Sequence, residues 1–108
     1  MSVPEITVDE LATRLSAPGA MLFDVRQPDE YHAGHVPSAV LIPLNEVPDR
    51  IADFPREGAA LMICRSGARS RTACEFLERH GVEALNVAGG TLAWIDSGRD
   101  VTVGESPS

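Results

Sequence analysis

The chain has 108 residues, 44% hydrophobic and 23% charged, a size and balance that suit one soluble domain with its own core and exclude a disordered or fibrous protein. Nine basic against sixteen acidic residues leave a formal charge of -7, a field that repels polyanions and so disfavours nucleic acid and anionic membrane surfaces as partners. The two cysteines, Cys64 and Cys74, form neither a disulfide framework nor a metal-binding pattern, so any cysteine chemistry is expected to be catalytic or redox chemistry.

Residues 1–11, MSVPEITVDEL, lack the basic and apolar regions of a secretory signal, and no apolar run reaches the roughly 20 residues of a membrane span; the expectation is a cytoplasmic protein. Thr7 and Glu10 form a capping-box pattern ahead of Leu11, Ala12 and Leu15, which predicts a first helix that Pro18 and Gly19 end. Residues 20–25, AMLFDV, read as a buried strand, followed by a helical turn over 28–33 that stops at Gly34. A second apolar run covers 40–42, after which Asn45 is placed to cap a helix through Ala52, with Pro48 in its first turn. Residues 59–63, AALMI, form a third strand candidate, and CRSGARSR follows at once. The spacing of Ala73, Phe76, Leu77 and His80 predicts a helix over about 68–80, capped by Gly81. A strand over 84–87 comes next, then Gly89-Gly90 and a last short helix carrying Leu92, Trp94 and Ile95. Strands alternating with helices imply crossover connections and a mainly parallel sheet with helices on both faces, an α/β fold. One domain is expected over 1–103, with a polar, flexible tail over 104–108.

The chemistry concentrates in residues 64–71. That segment starts at the C-terminal end of a parallel strand and enters a helix N-terminus, where ligands of such sheets bind and where backbone N–H groups and the helix dipole stabilise an anion or a thiolate. Gly67 permits the tight curl, and Arg65, Arg69 and Arg71 make the segment locally basic within an acidic protein. Such surroundings lower a cysteine pKa from about 8.5 and give a nucleophile without a general base. An inert thiol at the strand end is the bland alternative for Cys64, and three arginines argue against it. Cys74, by contrast, shares a helical face with Ala73 and Leu77 and reads as a small buried hydrophobe. His32, His35 and His80 show no metal-ligand spacing, and Trp94 reads as a packing residue.

Residues 64–70, CRSGARS, resemble the active-site loop of rhodanese-type sulfurtransferases. Residues 24–39, DVRQPDEYHAGHVPSA, are similar to the first signature of that family, and residues 87–90, VAGG, with Trp94 resemble its C-terminal one. The resemblance implies a five-stranded parallel sheet, a persulfide on Cys64, and thiosulfate or another sulfane donor as substrate. Cyanide or a thiol, on a small molecule or a protein, would be the acceptor. On this reading the loop N–H groups from Arg65 through Ser66, Gly67 and Ala68 to Arg69 hold the terminal sulfur, and Arg65 and Arg69 attract the anionic donor. No cofactor or metal is called for, and a monomer or weak dimer is expected. Asp24, Arg26 and Glu30 read as ionic scaffolding rather than catalysts.

Two other function classes remain open at this stage. A thiolate phosphatase or arsenate reductase would need five residues between cysteine and arginine, and that position here is Ser70. A non-catalytic module on the same fold is the other, because fold alone does not fix function.

Overall fold

Thr7 caps helix α1, Val8–Leu15, as its position before Leu11 suggests: its Oγ1 accepts from the Glu10 backbone N–H at 3.1 Å, while the Glu10 carboxylate accepts from Arg14 Nε at 3.0 Å, so half of the capping box is formed. The computed structural model describes residues 3–108. Strand β1, Glu5–Ile6, precedes α1; two residues cannot display an alternating pattern, so composition did not announce it. The remaining elements are β2 (Met21–Asp24), α2 (Pro28–Ala33), β3 (Val40–Leu41), a 3-10 helix (Leu44–Asp53), β4 (Ala60–Ile63), α3 (Ala68–Arg79), β5 (Ala84–Val87) and α4 (Gly90–Asp96).

All five strands are parallel, in the order β1-β5-β4-β2-β3. The central strand β4 therefore lies between β5 and β2, and its C-terminal end opens at the middle of the sheet edge where ligands of this architecture gather. Both faces are covered. Phe23, Met62, Cys64, Cys74 and Leu77 belong to the core on the side of α3 and the 3-10 helix, while Leu11, Leu22, Tyr31, Leu61, Ile63 and Trp94 fill the side of α1, α2 and α4. That double burial explains why β4 reads as an unbroken apolar run.

One expectation needs revision. Asn45 does not cap a helix: the element begins at Leu44 without a side-chain cap and breaks at Arg50 (φ -121°, ψ 25°). Pro48 inside it lacks the N–H that a continuous α-helix would use, which favours short 3-10 turns. The polar tail, read from composition as flexible, makes bonds to the body. Gly104 N–H donates to His32 O at 2.9 Å, Ser38 N–H to Pro107 O at 2.8 Å, and His35 Nε2 lies 2.9 Å from Ser106 O.

Candidate active site

Side chains alternate across a strand, so Cys64, two positions after Met62, points to the α3 side of the sheet. It thereby sits under the N-terminus of α3. Gly67, with φ 114°, takes the left-handed turn that lets the chain reverse from β4 into that helix. The curl aims donors at the sulfur: Gly67 N–H donates to Cys64 Sγ at 3.1 Å, Ser70 Oγ lies 3.3 Å away, and the N–H groups of Ser66 and Ser70 face it too.

Burial is the largest influence on this thiol and pushes its pKa up, for Cys64 is only 1% exposed. The Ser70 hydroxyl and the N–H groups of Ser70, Gly67 and Ser66 together outweigh it, and the net position is below the ordinary thiol value. Among the described residues Cys74 has no such ring of donors, and burial pushes its thiol up to about 12. It is the packing residue that its helical face predicts.

The loop is braced from behind by α4. Thr91 donates to Cys64 O through both its N–H (2.9 Å) and its Oγ1 (3.0 Å), and Leu92 N–H donates to Arg65 O at 3.1 Å. Gly90 is the reason the helix can come so close: a Cβ there would lie 2.6 Å from both Cys64 O and Arg65 O, at φ +60°. Gly90, the second glycine of the pair, is thus a contact surface for the cysteine loop.

The arginines divide in a way their spacing does not reveal. Arg69 gives both terminal nitrogens to the Glu30 carboxylate, at 2.7 and 2.8 Å, and that pairing holds Glu30 down to about 2. Arg71 lies 3.6 Å from Glu5, and Arg26 is clamped on buried Asp24 and on Gly34 O. Among the described residues only Arg65, of the three arginines in the segment, has no carboxylate within salt-bridge distance. The Glu30 carboxylate thus offsets the charge of Arg69, which is expected from the sequence to attract the donor alongside Arg65. Ala68 opens α3 beside Arg69, and the N–H groups that face Cys64 Sγ are those of Ser66, Gly67 and Ser70. The scaffolding reading of Asp24, Arg26 and Glu30 fits this geometry.

Two contributors were not singled out from sequence. Ser70, noted there only as the position lacking a phosphatase arginine, puts its hydroxyl on the sulfur. Asn86, fully buried in β5, bonds Ser70, Gly67 and Glu5. Its signal was an amide inside the apolar run ALNV, since a buried amide requires partners.

The rhodanese-like domain family matches residues 7–97 of this chain. The chain belongs to the rhodanese-like family. It is similar to a sulfurtransferase of Allochromatium vinosum, 35% identical over 105 residues that make up 95% of this chain and 98% of that protein. Among solved structures, a rhodanese-like domain protein from Staphylococcus aureus superposes with a TM-score of 0.84 at 34% identity, covering 94% of this chain and 98% of that one. A thiosulfate sulfurtransferase from Pseudomonas aeruginosa gives a TM-score of 0.80 at 25% identity, covering 96% of this chain and 20% of that longer one. Residues 24–39, 64–70 and 87–90, which carry the resemblance in the sequence, all lie within the matched span.

Proposed function

We propose that this rhodanese-like domain is a sulfurtransferase that takes a sulfane sulfur from thiosulfate, or a similar anionic donor, onto Cys64 and passes it to cyanide or a thiol. The observation that carries the reading is the convergence of Ser66, Gly67 and Ser70 donors on one buried sulfur whose pKa they lower. The Cys64 thiolate attacks the outer sulfur of thiosulfate, a new S–S bond forms, and the bond to the sulfonate sulfur breaks with its electron pair leaving on sulfite. The charge then resides on the terminal sulfur of the persulfide, within reach of the same donors. Attack on that terminal sulfur by cyanide gives thiocyanate, or by a thiolate gives a new persulfide, and returns Cys64 as thiolate.

Shape and charge favour this donor class. With Cys64 1% exposed, a reagent must offer its reacting atom on a narrow arm, as the outer sulfur of thiosulfate does. Arg65, the arginine of the segment without a carboxylate partner among the described residues, supplies attraction for the sulfonate end. Phosphate or arsenate chemistry is disfavoured, since a tetrahedral oxyanion needs a bidentate guanidinium and Arg69 is already engaged with Glu30. The test is to assay thiosulfate with cyanide and an aryl phosphate side by side. Thiocyanate formation that requires Cys64, with negligible phosphate release, is expected; Cys64-dependent phosphatase turnover exceeding sulfur transfer would overturn the reading.

A further inference from the structure

Ser70 has one hydroxyl proton and more than one acceptor for it. Its Oγ lies 2.5 Å from Asn86 Oδ1, 3.3 Å from Cys64 Sγ and 3.4 Å from Gly67 O, with Ser70 and Asn86 both fully buried. The orientation of the Asn86 amide follows from its other partners. Nδ2 faces Glu5 Oε2 at 3.0 Å and Gly67 O at 3.1 Å; both only accept, so the nitrogen must lie there and the oxygen must face Ser70. An amide oxygen cannot donate. The short contact therefore commits the Ser70 proton to Asn86 while Cys64 is a thiol, whose own proton can go to the Ser70 oxygen.

We propose that Asn86 is a positioning residue that competes with the Cys64 sulfur for the single hydroxyl proton of Ser70. When the thiol loses its proton to solvent, the hydroxyl turns from Asn86 Oδ1 to the sulfur, and Asn86 gives up one bond while its two Nδ2 bonds keep the amide in place. Asn86 thus acts on sulfur transfer through Ser70 and touches no reacting atom. The proposal takes Cys64 as the reacting thiol from the sulfurtransferase reading.

The charged and titratable groups around Cys64 and the neighbouring Cys74 are Asp24 and Arg26 at the end of β2, Glu30 on α2, Arg65, Arg69, Arg71, Cys74 and Glu78 on the loop and α3, and Glu5 on β1. All stay unchanged in the test, which measures the iodoacetamide rate of Cys64 against pH in the full chain, each variant first checked by thermal unfolding. Ser70→Ala should raise the inflection by about 0.5 to 1 pH unit, the size of one hydrogen bond. Asn86→Leu removes the competing acceptor at similar volume and should lower the inflection by about half a unit. Asn86→Asp offers a stronger, charged acceptor and should raise it. In a Ser70→Ala background the Asn86→Leu shift should vanish and the Asn86→Asp shift should fall by at least half, leaving only the direct effect of the added charge.

Shifts in the same direction for Leu and Asp, or shifts undiminished without the hydroxyl, would overturn the proposal. If Asn86→Leu does not fold, Asn86→Asp decides alone: a shift cut by half or more in Ser70→Ala supports the competition, and an absent or undiminished shift refutes it. Alkylation reports on Cys64 whether or not sulfur is transferred, so a failed sulfurtransferase assay is a separate outcome.

Discussion

Glu30 closes both carboxylate oxygens on the guanidinium of Arg69, at 2.7 and 2.8 Å, across 39 positions of sequence. The pair joins α2 to the first turn of α3, and it cancels a positive charge that would otherwise stand beside Cys64. Of the three arginines in segment 64–71, Arg65 is left without a carboxylate partner among the described residues.

Kinetics of paired variants separate the two arginines. Arg65→Ala should raise KM for thiosulfate roughly tenfold, the loss of about 1.5 kcal/mol from one charge-assisted contact, with a smaller effect on an uncharged donor. Arg69→Ala should also raise KM, but because it bares the Glu30 carboxylate, so Glu30→Gln in the same chain should bring KM back toward the wild-type value. A double variant as impaired as Arg69→Ala would mean that Arg69 itself binds the donor.

The same pair gives a pH dependence with a definite sign. Glu30 is held at about 2 in the fold against an ordinary 4.5, so the unfolded chain binds its proton first and the pair stabilises the fold above pH 4.5. That contribution fades as pH falls from 4.5 towards 2. Glu30→Gln, which keeps an acceptor for the Gln27 N–H, should cost roughly 1 kcal/mol at neutral pH, the upper range for a solvent-accessible pair. Denaturant unfolding at pH 7 and pH 2.5 checks it. A difference between variant and wild type that stays constant or grows on acidification would show that the pair is not the source.

Gly90 carries a third expectation, on the contact between α4 and the cysteine loop. Gly90→Ala places a methyl 2.6 Å from two carbonyl oxygens at a positive φ, so it should destabilise the fold by roughly 2–3 kcal/mol. It should also slow Cys64 alkylation, because Thr91 and Leu92 no longer hold the loop carbonyls. Thermal unfolding and alkylation rates report both effects, and normal alkylation kinetics in the folded variant would show that the loop keeps its shape without α4.

What was legible in the sequence depended on how far apart the interacting residues lie. The strand at β4, the cysteine loop and helix α3 adjoin in sequence, so apolar pattern and Gly67 announced strand end and curl together, and the cluster of arginines pointed to Cys64 as the candidate nucleophile. Cys74 was equally readable, since its helical neighbours Ala73 and Leu77 are apolar. The neutralisation of Arg69 was not, because its partner is 39 positions away and no local rule links them. Strand β1 escaped because two residues have no periodicity, and with it went Glu5, the far end of the Asn86 network. Asn86 itself was visible as a polar residue in a buried strand, but which groups it satisfies depends on the parallel order that puts β5 between β1 and β4.

Intact-mass analysis after thiosulfate treatment tests the central claim, a persulfide on Cys64, most directly. The expected result is one added sulfur atom per chain that cyanide removes, absent from Cys64→Ser and retained in Cys74→Ser. A folded protein that gains no sulfur, or an added sulfur that persists in Cys64→Ser, would contradict it.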